Sequence, residues 1–405
     1  MEIKSTEVSV QNPARKKAIR FIIFLGCTSL FADMTYEGAR SINGPFLQTL
    51  GASGTVVGIV AGFGELVGYG LRLFSGYLSD RSHKYWTILL TGYIFNLLSV
   101  PLLAWAGYWQ VAVLLMISER AGKAIRNPTR DAMLSHASKE TGRGWGFGLH
   151  EFMDQLGATV GPLLVSAVLF YRHDNYRNAY LLLLIPALCA LSVLLAAKKL
   201  YPRPQDLEIK TVHLEQAETF TSTGFILYTI AAMCLATGYA DYPLIAYHFK
   251  QQALVKDVWI PVLYAAAMLS EAFSALLIGR LYDRIGAFTL LGATVLSMFF
   301  APLVFLANAQ WAIAGMILWG LGMGAQGSIL KAIVAGMVAP EKRATAFGLF
   351  DTFYGVAWFA GSAYMGYLYD HSLTGLVVFS MNMQLLSIVV LGIYIRKNKI
   401  TRKLT

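Results

Sequence analysis

Twelve apolar runs, each about long enough to cross a bilayer as a helix, constrain this chain more than any motif in it. They fall near residues 18–41, 52–78, 86–106, 109–135, 145–170, 178–197, 223–247, 255–281, 288–307, 310–335, 343–369 and 373–395. In hydrocarbon each backbone N–H and C=O needs a partner inside the protein, so runs of this length, about twice what a membrane strand requires, form helices. Composition agrees: 56% of residues are hydrophobic, 14% are charged, and the mean hydropathy is +0.54. Such a chain is expected to be an all-α membrane protein.

A net charge of +10 raises the question of nucleic acid, but the placement of the bases answers it in favour of topology. Most of the 33 Lys and Arg lie in one alternating set of segments: the N-terminal tail, the turns around Arg81, Arg143, Arg284 and Arg343, the stretch after Lys198, and the C-terminal tail. The other set holds Arg172, Arg177, Lys250 and Lys256. Positive charge stays inside, so both termini are expected in the cytoplasm and the protein in a bacterial inner membrane. The polar tail at residues 1–17 has no cleavable signal pattern. Cys27, Cys189 and Cys234 lie far apart in apolar runs and read as small core residues.

Internal repetition sets the domain plan. G-Y-L-S-D-R at Gly76–Arg81 returns as G-R-L-Y-D-R at Gly279–Arg284; counting on from F-G-L at Phe147 and Phe347, Glu151 pairs with Asp351 and Gly161 with Gly361. The expected division is a six-helix bundle at 18–197, a cytoplasmic linker at 198–222, a second bundle at 223–395 and a tail at 396–405. The two pseudo-symmetric bundles surround a central cavity, with the solute site between them near the midplane. A twelve-helix duplication with G-x-L-x-D-R after helices 2 and 8 resembles the major facilitator superfamily of secondary transporters. In helix 5, Gly148, Gly157, Gly161 and Pro162 keep a G-x8-G-x3-G-P spacing similar to the motif of antiporters and exporters, with Val165 and Ser166 replacing its terminal glycine pair. The resemblance implies latches at the cytoplasmic side. Asp80 would sit near the start of helix 11, around 344–347, and Asp283 near the start of helix 5, around 144–147. Acids at helix N-termini are favoured by the macrodipole and the free amides there. Gly76, Arg81, Gly279, Arg284, Gly157, Gly161 and Pro162 are grouped with this gate.

Charges inside apolar runs are costly and therefore informative. The densest cluster is E-R-A-G-K-A-I-R-N-P-T-R-D at Glu119–Asp131. On a helix, Glu119, Lys123, Arg126 and Arg130 form one stripe and Arg120, Asn127 and Asp131 the next. Glu119 can pair with Lys123, leaving Arg120 and Arg126 to hold a substrate anion or a carboxylate across the cavity. Depth places Glu119 to Lys123 near the middle and Arg126 to Asp131 toward the cytoplasmic gate; a self-neutralising ladder is the simpler alternative. Helix 1 offers Asp33, with Glu37 and Arg40 nearer the outer mouth, either as function or as a neutral pair. Helix 2 offers Glu65 and Arg72, and helix 5 offers His150, Glu151 and Asp154. Asp33, Glu119 and Asp154 lead as proton-coupling acids, with Glu37, Glu151 and His150 as a path, because a carboxylate beside a base or histidine can load and release a proton. The second half is poor in charge; Asp241 lies within it, and Tyr239, Trp319, Tyr354 and Trp358 are candidates for an aromatic cavity wall, though core packing is commoner for any one of them. Gly238 and Pro243 around Asp241, and Pro45 in helix 1, predict breaks at corresponding places in the two halves.

No nucleotide-binding loop, metal-ligand spacing or activated nucleophile is apparent, so no cofactor and no enzymatic reaction are expected. The expectation is a monomeric, proton-coupled transporter of a small organic solute working by rocker-switch alternating access, with export by antiport favoured by the helix 5 glycines. Import of a polar or anionic metabolite by symport is the alternative, and a non-transporting membrane sensor the remote one. Its partners are the solute, protons and lipid, with no nucleic acid.

Overall fold

The computed structural model describes residues 13–82, 84–141, 143–172, 175–203, 223–337 and 343–404, and their regular structure is helical throughout. The first five crossings are single helices: α1 (Pro13–Thr49), α2 (Gly54–Ser82), α3 (Tyr85–Leu102, prolonged by a tighter turn at Leu103–Trp105), α4 (Trp109–Thr141) and α5 (Arg143–Tyr171). The sixth comprises α6 (Tyr176–Leu182) and α7 (Leu184–Leu200). In the second half α8 (Thr223–Thr237) and α9 (Tyr242–Gln251) make one crossing and α10 (Trp259–Ile285) the next. Then come α11 (Phe288–Ser297) with α12 (Phe300–Phe305), α13 (Ala309–Met337), α14 (Arg343–His371) and α15 (Leu373–Leu404). Twelve crossings result, 10 of them apolar enough to span a membrane. The other two are α4, whose second half is filled with charge, and α14. The chain is an all-helical membrane protein; the end at which α1 begins and α15 finishes is here called the termini end, and the other the opposite end.

The repeat seen in the sequence is a repeat of packing. Within the first half α1 lies along α5, and within the second α8 lies against α14. A Cβ on Gly161 would stand 2.3 Å from the Met34 carbonyl oxygen, and one on Gly361 2.2 Å from that of Thr237. A Cβ on Gly157 would likewise meet the Leu30 carbonyl at 2.3 Å. Only glycine lets these backbones touch. Gly157 and Gly161 thus let α5 lie directly against α1 inside the first half, and Pro162 lies in the same helix. The halves meet through α2 on α14, α5 on α10 and α1 on α9.

One of the two expected helix breaks occurs. The seventh crossing opens between Thr237 and Tyr242, and the Asp241 carboxylate caps α9 by accepting from the Tyr242 N–H at 2.9 Å. α1 instead runs unbroken through Pro45, as membrane helices tolerate when neighbours occupy the freed groups. It ends about two turns later than the apolar run did, and the chain turns at Gly51, whose φ is +84°. A continuous apolar core joins both halves, and a smaller one around Phe21, Leu89 and Tyr93 belongs to the first half at the termini end. Outward-facing Phe273, Leu276 and Leu277 on α10 leave an apolar periphery, as lipid requires.

Candidate transport site

Two chambers lie between the halves. The larger, about 330 Å³, is bordered by Glu65, Tyr69, Arg72 and Arg120 from the first half and by Gln326, Tyr354 and Trp358 from the second. The smaller, about 210 Å³, is bordered by Asp33, Arg130, Glu151 and Asp154 and by Trp319 across from them. Arg40, Lys123, Glu271 and Met323 border both.

Which face of α4 looks into this space differs from the expected stripes. Arg120, Lys123, Asn127 and Arg130 line the chambers. Glu119 and Arg126 turn toward α3 because α3 and α4 touch at glycines: a Cβ on Gly122 would meet the Asn96 N at 2.3 Å, and one on Gly92 the Arg126 N at 2.7 Å. Glu119 therefore accepts from Asn96 Nδ2 at 2.7 Å, not from Lys123. Arg126 is wholly buried over the Tyr93 ring, 4.5 Å from its centroid, and reaches Asp33 at 3.4 Å. As a residue lining the substrate cavity, Arg126 is corrected to a buried partner of α1. Lys123 instead approaches Glu37 at 3.8 Å and lies 3.5 Å over the Tyr36 ring. Arg120 donates to the Tyr36 hydroxyl and pairs with Glu65 at 2.8 Å. Tyr36 also borders the larger chamber; it carries no charge that would mark it in the sequence, and its place one residue before Glu37 is the available signal.

Asp154 and Asp33 meet the bases of α4 at the smaller chamber. Asp154 lies 3.6 Å from Arg130 and 3.5 Å from His150 Nδ1, and its second oxygen is buried without a hydrogen-bond partner. His150 is buried and its Nε2 shares a 2.9 Å hydrogen bond with Ser29, which also accepts from Arg130 at 3.3 Å. Glu151 is exposed beside them and accepts from Gln155 at 3.3 Å. Asp131 is half-exposed and pairs with its neighbour Arg130 at 2.9 Å.

The halves are tied by polar contacts from this level outward to the opposite end. Arg40 pairs with Asp241 at 2.8 Å, more closely than with Glu37 at 4.0 Å, so the expected neutral pair on α1 is displaced by a partner in the other half. Trp358 Nε1 donates to the same Asp241 at 3.4 Å, and the Tyr264 hydroxyl donates to Glu37 at 2.6 Å. At the far end Asp370 of α14 accepts from the N–H groups of Gly54 and Thr55 at 2.9 and 2.7 Å, capping the N-terminus of α2. An acid here meets a helix N-terminus of the other half, as was expected of Asp80 and Asp283, but the residue is one that no motif marked and it lies at the other end of the molecule. The backbone at residues 76, 80, 144–148, 283 and 344–345 is helical, and the side chains there lie outside the described ones, so the expected latches at Asp80 and Asp283 fall outside what is described. Arg81 is exposed and donates to Tyr77 at 2.8 Å, Arg284 is exposed, and a Cβ on Gly279 would meet open space.

The aromatic wall is partly a wall and partly core. Tyr354 and Trp358 line the larger chamber, with the Tyr354 hydroxyl donating to Gln326 at 2.7 Å, and Trp319 borders the smaller. Tyr239 packs behind them against Phe300 and Trp319, its hydroxyl bonded to the Trp319 carbonyl at 2.5 Å.

A duplicated helical bundle around a charged, solvent-sized cavity is the architecture of a membrane transporter. The family model described as Major Facilitator Superfamily matches residues 25–362, and the chain belongs to that superfamily. It is 39% identical over 394 residues to an uncharacterized protein of Mycobacterium tuberculosis, covering 96% of each chain. An uncharacterized MFS-type transporter of Methanocaldococcus jannaschii is 25% identical over 379 residues, 92% of this chain and 94% of the other. The multidrug resistance protein MdtH of Proteus mirabilis is 30% identical over 126 residues, 31% of each. Among solved structures, the nucleoside transporter NupG superposes with a TM-score of 0.73 at 12% identity, over 93% of this chain and 99% of that one, a likeness of fold.

Proposed function

We propose that the protein is a proton-coupled secondary transporter that moves a small organic solute by rocking its two bundles about the central cavity, and that it exports that solute by antiport. The observation that carries this reading is the smaller chamber, where Asp33 and Asp154 from α1 and α5 face bases supplied by α4. A carboxylate that gives up its arginine when the helices shift takes a proton in its place, which links protonation to conformation. Glu119, held by Asn96, is assigned to fixing α4 on α3 instead. The short MdtH similarity and the helix 5 glycines support export. The bases Arg72, Arg120 and Lys123 on the larger chamber support the second reading, import of a polar or anionic metabolite by symport.

The charge bias of the turns supports both termini in the cytoplasm of a bacterium, and the polar stretch at 198–222 supports a division into two bundles there. A monomer is taken as the working unit. The test is reconstitution in liposomes containing a pH-sensitive dye, with solutes screened by class. Solute-dependent proton movement that disappears in Asp154→Asn and Asp33→Asn at equal protein incorporation is the expected result. Unchanged proton movement in both variants would exclude these two acids as the coupling site.

A further inference from the structure

The chambers are crowded with charge, yet nearly all of it is matched inside the protein. Glu65 is taken by Arg120 and Arg40, Glu37 by Lys123 and Arg40, Asp33 by Arg126, and Asp154 by Arg130. Two groups on the larger chamber have neither an ion pair nor a side-chain hydrogen bond among the described residues: Arg72 from α2 and Glu271 from α10. Arg72 rests 5.2 Å over the Tyr69 ring, and its Nε is buried with no hydrogen-bond partner. They come from opposite halves, one a base and the other an acid. The same chamber is bordered by the aromatic rings of Tyr354 and Trp358 and by Asp351.

We propose that the larger chamber binds an amphoteric organic solute, with a carboxylate or similar anion toward Arg72, an ammonium toward Glu271, and an apolar spacer against Tyr354 and Trp358. This deepens the transporter reading and rests on it for the movement that comes after binding. A guanidinium fork matches a carboxylate in two parallel hydrogen bonds, and a carboxylate accepts well from an ammonium. Selectivity comes as much from repulsion as from attraction. A solute with only an anion leaves Glu271 unmatched and like-charged toward it, and one with only a cation does the same to Arg72. Because the two groups sit on different bundles, a solute that engages both bridges the halves.

The test is calorimetric binding to the purified protein in lipid nanodiscs. The probes are 4-aminobutanoate, 6-aminohexanoate and 8-aminooctanoate, each beside its methyl ester, which keeps only the cation, and its N-acetyl form, which keeps only the anion. At least one amino acid of the series is expected to bind, with both singly charged forms weaker by about tenfold or more, the worth of one charged hydrogen bond. Glu271→Gln is expected to erase the advantage over the N-acetyl form and Arg72→Gln the advantage over the ester. Glu271→Asp and Arg72→Lys, which keep the charge and control for folding, retain part of both. The proposal is overturned if no member binds, if a singly charged form binds as well as its parent, or if neither Gln variant changes the ratios. Binding that obeys this pattern in a protein that moves no solute in liposomes would sink the transport reading alone. Transport of a solute whose binding ignores both residues would sink this one alone.

Discussion

The two ends of the molecule are built from the same helices and differ in what holds the halves together. At the opposite end, α1, α2 and α5 are bound to α9, α14 and α10 by a buried ion pair, a capped helix terminus and backbone contacts that admit only glycine. From the level of Glu37 and Tyr264 toward the termini, no hydrogen bond or ion pair joins the halves among the described residues, and glycines such as Gly68, Gly70 and Gly327 face open space. Among the described residues the polar ties between the halves are gathered at one end of the cavity, an asymmetry that the proposed rocking of two bundles requires. The residues that make those ties are the ones to change.

Removing one member of the Arg40–Asp241 pair breaks the clamp most severely, because it strands a buried charge. Asp241→Asn or Arg40→Gln is expected to cost about 3–5 kcal/mol in denaturation measured in nanodiscs, with the double variant recovering part of it. Single costs below about 1 kcal/mol would mean that the pair does not clamp the halves. Next is Gly44→Ala, whose Cβ would stand 2.0 Å from the Pro243 carbonyl oxygen and force α9 off α1. An overpacking cost of about 1–3 kcal/mol is expected, against about 0.5 kcal/mol or less for Gly70→Ala beyond the middle of α2. Equal effects at the two glycines would erase the distinction between the ends. Smaller again is Asp370→Ala, which uncaps α2 and should lower stability by about 0.5–2 kcal/mol; an unchanged melting temperature would show that water replaces the carboxylate there.

The crossings were legible because apolar length decides them, and the repeat was legible because Gly161 and Gly361 meet the same steric demand in each half. Asp33 and Asp154, singled out as coupling acids by depth, and Lys123, expected at the cavity, all border the smaller chamber. Partner choice was not legible. Glu119 and Lys123 are ideally spaced to pair, yet the close approach of α3 and α4 at Gly92 and Gly122 turns Glu119 toward Asn96 and buries Arg126. A one-residue rotation of the charged stripe is set by tertiary packing, which helical periodicity leaves open. Asp370 was invisible for a similar reason, since a lone acid at a helix end looks like any surface residue until another helix begins above it.

Transport by this mechanism requires two bodies that rock about the cavity, and distances between spin labels at both ends test that directly. In a background with Cys27, Cys189 and Cys234 replaced, one pair would carry labels at Tyr171 and Trp259 at the opposite end, the other at Leu78 and Leu349 at the termini end, all exposed sites on different halves. On lowering the pH or adding a transported solute, one distance is predicted to lengthen as the other shortens. Distances that stay fixed, or that change in the same direction, would contradict it.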